Sequence, residues 1–98
     1  MDEFPLTFAH DHPALAGHFP GNPIVPGVVL LDEALAIIVA STGLQHAGVA
    51  WVKFLRPALP GEHLTVRIDD KGGGAIGFEI TTGSEKVAAG SVSATSAT

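Results

Sequence analysis

The 98-residue chain contains no cysteine. This excludes disulfides and thiolate chemistry and fits a cytoplasmic, intracellular setting. Basic residues are scarce: Lys53, Arg56, Arg67, Lys71 and Lys86 are the whole supply, against ten acidic side chains, for a formal net charge of −5. That balance excludes a nucleic-acid binder that works by neutralising phosphates. Long apolar runs are missing too. Asp32 and Glu33 interrupt the longest one, so no membrane span is expected. No basic stretch leads into an apolar segment near Met1, so no secretory leader is expected either.

What is present is apolar material: 46% of residues are hydrophobic, too many for a disordered chain. The length predicts one domain over 1–98, with 95–98 as a frayed tail, and a domain this small gains from oligomerisation. Phe4, Leu6 and Phe8 alternate as in a short strand. Asp11, Pro13 and the glycines that follow are expected to prevent regular structure until the helix. From Val28 to Ala40 the chain favours helix, with Gly43 as its stop. The helix is apolar almost all the way round, which predicts burial. The strands follow: 49–56 closed by Pro57, an alternating segment from Leu64 to Asp69, another through Ile76, Phe78 and Ile80, and a last one over 87–94. Turns are expected at 59–62, 70–74 and 83–85. The order predicts an α+β domain, an antiparallel sheet with one helix covering its apolar face.

Asp32 and Glu33 stand out within the helix. The macrodipole favours acids in a first turn, but a helix beginning near Gly27 places Asp32 in its second. Neighbouring residues point about 100° apart, so one of the two is expected to face inward, where a carboxylate needs a partner or a function. His10 and His12 flank Asp11, but the chain offers too few further ligands, so no metal site is expected.

The loop before the helix reads Gly17-His18-Phe19-Pro20-Gly21-Asn22-Pro23-Ile24-Val25-Pro26-Gly27. Taken singly, its histidine is ordinarily a surface residue and its prolines merely stiffen a turn. The whole run, with Asp32 placed 14 positions after His18, resembles the β-hydroxyacyl-(acyl carrier protein) dehydratases. The segment Lys53-Phe54-Leu55-Arg56-Pro57, followed by Pro60-Gly61-Glu62, is similar to the family's second strand and turn. The Val-Leu-Leu-Asp-Glu helix is similar to compact members of polyketide-like or aryl-polyene pathways.

The resemblance implies a hotdog fold, a sheet wrapped around one central helix, and dehydration of 3-hydroxyacyl thioesters without a cofactor. The thioester is carried on acyl carrier protein or CoA. It assigns His18 the role of base, Asp32 that of acid, and Gly27 that of oxyanion donor, with Phe19, Pro26 and Val28 beside the substrate. The residue types suit the task. Histidine titrates near cellular pH, a carboxyl in apolar surroundings is kept protonated, and helix-entrance N–H groups receive developing negative charge. The family also implies a homodimer, a higher oligomer or a hotdog heterodimer, with each site shared between chains. Lys53 and Arg56 are the cations expected to dock an acidic carrier. One departure stands out: Ala36 occupies the place, four residues after the acid, where the family usually has glutamine. Two other classes therefore stay open, another hotdog acyl-CoA enzyme (hydratase or thioesterase) and a catalytically silent subunit of a heteromeric dehydratase.

Overall fold

Period-two alternation of Val, Ile and Leu through the C-terminal half builds one face of a sheet, and the apolar stripe of the helix covers it. A computed structural model describes residues 2–8, 24–43, 46–72 and 74–95. In chain order the elements are β1 (Asp2–Leu6), α1 (Gly27–Thr42), β2 (His46–Phe54), β3 (Leu64–Gly72), β4 (Ala75–Thr82) and β5 (Glu85–Thr95). All pairings are antiparallel, and the spatial order is β1-β3-β4-β5-β2. This is the α+β hotdog arrangement that the resemblance implies.

Helix α1 starts at Gly27 and ends where Gly43 takes a left-handed conformation, φ 72°, with its N–H donating to the Val39 carbonyl at 3.0 Å. That glycine is required because a Cβ is costly at positive φ. Leu30, Ala34 and Ile38, spaced at four residues, are fully buried against Val66, Ile68, Ile76, Phe78, Ile80, Val87 and Val92 of the sheet. Each buried aliphatic side chain contributes roughly 1.5–3 kcal/mol.

The helix is not buried on all sides, as its composition led us to expect. Val28, Asp32, Ala36 and Ala40 form an exposed stripe two residues out of phase with the buried one. At 100° per residue that places the stripe on the opposite side of the helix. Asp32 is thus exposed in the single chain and Glu33 is half-buried, whereas an inward-facing Asp32 was expected. No buried polar residue occurs among the described residues.

The final strand runs on through Thr95, so the frayed tail does not begin at 95. Strand β2 ends at Phe54, two residues earlier than expected. It lies beside β5 at the sheet's edge rather than beside β3, its successor in sequence. The segment 55–63 makes the crossing over the end of the sheet. It is pinned where Val25 N–H donates to the Ala58 carbonyl at 2.8 Å and where Gly61 N–H donates to the Phe8 carbonyl at 2.7 Å.

Arg56 stiffens this crossing. Its Nη1 donates to the Pro57 carbonyl at 2.7 Å and to Glu62 Oε1 at 3.3 Å, its Nη2 donates to Glu62 Oε2, and its Nε lies 3.0 Å from Glu85 Oε2. Glu62 Oε1 also accepts the Leu59 N–H at 3.1 Å. The Arg56 hydrogen bond holds the Glu62 carboxyl below its ordinary value of 4.5. A depressed carboxylate stabilises the fold above that value, and the contribution disappears as pH falls through the folded-state pKa. Glu62→Gln is therefore expected to destabilise the protein at pH 7, with the gap to the parent narrowing at a second, acidic pH below 4.5. Urea unfolding at the two pH values checks this. A gap of constant size would show that the Glu62 charge does not contribute.

Candidate active site

The first four N–H groups of a helix have no partner in the turn before them. In α1, Val29 and Leu30 donate to the Pro26 carbonyl at 3.0 and 3.1 Å. Pro26 is the N-cap, with φ −57° and ψ 142°, and no side chain among the described residues caps the helix. Among the described residues, no hydroxyl or carboxylate competes for the N–H groups of Gly27 and Val28 at this entrance. No acidic residue occupies the first turn. Val28 is 66% exposed. Asp32 sits one turn further along the same stripe, about 6 Å down the helix axis.

His18 and Phe19 lie outside the described residues, as do His10, Asp11 and His12. The structure thus brings Pro26, Gly27, Val28 and Asp32 together on one end and one face of α1.

A cavity of about 440 Å³ opens beside this entrance, within the size range of small-molecule sites. Its lining is mainly apolar: Ile24, Val25, Leu30, Phe54, Leu55 and Pro57, with Gly27 and Arg56 at its margins. Phe54, which the sequence reading did not single out, is the notable member. A Cβ on Gly27 would lie 3.1, 3.2 and 3.3 Å from its Cζ, Cε1 and Cε2. Gly27 is therefore glycine partly to make room for this ring. The available signal was an exposed aromatic at the last position of a strand that ends before proline.

The two expected docking cations part company. Lys53 is exposed and alternates with Val52 and Phe54, which places it on the sheet face away from α1. Arg56 is only 23% exposed and is matched by two carboxylates, Glu62 and Glu85. Its charge is matched within the fold, which leaves Lys53 as the less encumbered of the two cations. A groove of about 490 Å³ on the outer sheet face, beside Trp51 and Gly77, lies apart from the helix entrance. Its cations are already paired, Arg67 with Glu3 at 3.4 Å and Lys86 with Glu79 at 3.3 Å.

The described part of the site is thus a hotdog domain with helix-entrance amides, an apolar cavity beside them and a carboxylate one turn along. The sequence matches the ApeI-like family, described as ApeI dehydratase, over residues 2–91, and the chain belongs to that family. It is 40% identical over 68 residues to the 3-hydroxyacyl-[acyl-carrier-protein] dehydratase FabZ of Thermomicrobium roseum, covering 59% of this chain and 45% of that one. The FabZ of Haemophilus influenzae strain KW20 is 35% identical over 68 residues, covering 59% and 46%. The chain thus spans somewhat less than half the length of these curated relatives.

Among solved structures, the dehydratase heterocomplex ApeI:P from Xenorhabdus doucetiae superposes with a TM-score of 0.81 at 23% identity, covering 95% of this chain and 85% of that one. An uncharacterized protein from Erwinia carotovora subsp. atroseptica gives 0.77 at 27%, covering 96% and 82%. A probable thioesterase from Bartonella henselae gives 0.63 at 20%, covering 96% and 87%, and shares the fold alone.

Proposed function

We propose that this chain dehydrates 3-hydroxyacyl thioesters to trans-2-enoyl thioesters, carried on acyl carrier protein or CoA, in the cytoplasm. The observation that carries the reading is the family match over residues 2–91. The N–H groups of Gly27 and Val28, which no described side chain caps, support it, beside an apolar cavity and one turn from Asp32. The thioester carbonyl accepts hydrogen bonds from those N–H groups, so negative charge that develops on its oxygen is stabilised. His18 removes the α-proton, and Asp32 protonates the departing β-hydroxyl. The Cβ–O bond breaks, the Cα–Cβ double bond forms, and one water leaves.

The exposed Asp32 stripe and the β2 edge support a homodimer. Among the described strands, β2 pairs only with β5. On or beside it Val49, Trp51, Phe54, Leu55 and Leu59 are 41–54% exposed. An open strand edge with apolar neighbours is a template for pairing. In this proposal the partner's packing covers the Val28–Ala40 stripe and Asp32 with it, and His18 and Asp32 of each site come from different chains.

Incubating the purified chain with 3-hydroxybutyryl and 3-hydroxydecanoyl thioesters and following enoyl absorbance tests the activity. Steady formation of enoyl product is expected. A second reading rests on Ala36, which offers no side chain to hydrogen-bond Asp32 from the next turn. In that reading the chain is the silent half of a hotdog heterodimer. Absence of turnover by the chain alone, with the dimer intact, would favour it.

Lys53 is the cation proposed for docking an acidic carrier. Lys53→Glu is expected to raise KM severalfold for a carrier-bound substrate and leave a short pantetheine thioester unaffected. The effect should fade with added salt, since exposed charges are screened over about 8–10 Å near physiological ionic strength. Equal effects on both substrates would remove Lys53 from docking.

A further inference from the structure

The dehydration chemistry gives Phe54 no proton to move, yet among the described residues its ring supplies the three atoms nearest the Cβ position of Gly27, the proposed oxyanion donor. Its three distal carbons are nearly equidistant from the Cβ direction of Gly27, at 3.1, 3.2 and 3.3 Å, so the ring presents the distal half of its flat face to the helix entrance. The side chain stays 46% exposed and lines the apolar cavity, forming a wall between that cavity and the first turn of α1.

The backbone holds this wall in place. Phe54 pairs with Ala88 of β5, Leu55 N–H donates to the Val87 carbonyl at 2.8 Å, and Arg56 N–H donates to the same carbonyl at 3.4 Å. The Arg56 side chain is clamped by Glu62 and Glu85 immediately afterwards. The ring therefore has little backbone freedom with which to withdraw.

A thioester carbonyl bound at the Gly27 N–H has its α-carbon one bond away, next to the ring. We propose that Phe54 is the specificity-determining residue at the substrate's α-position. Its ring fills the volume that an α-methyl group would need, so the site accepts 3-hydroxyacyl thioesters unbranched at Cα. A chain without that branch runs past the ring into the cavity lined by Val25, Leu30 and Leu55. The inference rests on the dehydratase reading and refines it.

The experiment compares 3-hydroxybutyryl pantetheine with each epimer of 2-methyl-3-hydroxybutyryl pantetheine, using the parent protein, Phe54→Leu and Phe54→Ala. A single methyl group is ordinarily discriminated by about 10–200-fold in an apolar site. The parent is expected to favour the unbranched substrate within that range. Phe54→Ala is expected to shrink the kcat/KM ratio by about tenfold or more, with Phe54→Leu between. Because an α-methyl also alters intrinsic reactivity, the change in ratio between proteins is the decisive quantity. An unchanged ratio with unbranched turnover preserved would overturn the proposal and leave the dehydratase reading standing.

Binding of unreactive butyryl and 2-methylbutyryl pantetheine amides, by calorimetry, supplies a second arm. The parent should prefer the straight amide and Phe54→Ala should bind both alike. If the parent turns over no 3-hydroxyacyl thioester, the dehydratase reading fails and this arm decides the role of Phe54. Equal binding of the two amides by the parent would overturn the proposal. The contact itself is read from stability. Gly27→Ala should be less well tolerated in the parent than in Phe54→Ala, where the added Cβ meets no ring. Equal tolerance would place the ring elsewhere and overturn the proposal as well.

Discussion

His18→Ala and Asp32→Asn are each expected to lower kcat by about 10²–10⁴, the usual worth of a positioned acid or base, without changing the unfolding midpoint by more than a degree or two. Asp32 is already exposed in the single chain, so Asn removes its acidity and retains its size and position. Glu33→Gln is expected to have far less effect. Glu33 points about 100° away from the Val28–Asp32 stripe, off the line that leads to the Gly27 entrance. Steady-state turnover of a 3-hydroxyacyl thioester checks all three. An active Asp32→Asn with an inactive Glu33→Gln would overturn the assignment. Mixing His18→Ala with Asp32→Asn after subunit exchange should restore about a quarter of the parental activity. In a symmetric dimer with shared sites, half of the exchanged dimers are mixed, and each mixed dimer regains one of its two sites. No restoration, with exchange confirmed by mass, would mean that His18 and Asp32 act within one chain.

Gly90→Ala is expected to be the most destabilising single methyl addition among the glycines whose surroundings are described. A Cβ there would lie 2.6 Å from Phe78 Cζ, 2.8 Å from Phe78 Cε1 and 2.7 Å from the Trp51 carbonyl oxygen. Gly90 is buried on β5 between Phe78 of β4 and Val52 of β2, where the β2 register shifts between Val49 and Trp51. The phenyl ring can rotate away in part, but the Trp51 carbonyl belongs to the sheet backbone and cannot move without disturbing the β2–β5 ladder. Overpacking of this kind costs about 1–3 kcal/mol. For a domain of this size each kcal/mol corresponds to about 4–8 °C in Tm.

Gly48→Ala is the control, since nothing lies within 4 Å of its Cβ direction. Phe78→Leu in the Gly90→Ala background should recover only part of the loss, because the carbonyl contact remains. Thermal unfolding followed by circular dichroism makes the comparison. Equal midpoints for Gly90→Ala and Gly48→Ala would show that β2 and β5 do not approach as closely as described. The consequence reaches the site, because the β2–β5 pairing also sets where Phe54 meets Gly27.

The amino-acid sequence alone determined the features that depend on near neighbours. Gly43 ends α1 because the chain there needs a left-handed residue, and its φ of 72° is the one its position implied. The alternation of Leu64, Val66 and Ile68, and of Ile76, Phe78 and Ile80, marked the buried face residue by residue. The run from Gly17 to Gly27, followed by Asp32, carried the family likeness because the spacing of prolines and glycines is itself a local pattern.

Only the tertiary structure decided the rest. Nothing in β2 itself says that it pairs with β5 instead of β3, and the nine residues 55–63 permit either partner. A helix apolar on all sides gives no sign of which stripe the sheet will take. The sheet took Leu30, Ala34 and Ile38, and Asp32 was left on the open side. Arg56 reads as a free cation until Glu62 and Glu85 close on it. Gly27 reads as empty space for a carbonyl until Phe54, 27 residues later, fills one side of it. Pairing, facing and filling depend on residues far apart in the chain, and their free energy comes from contacts that do not exist before the sheet has closed over the helix.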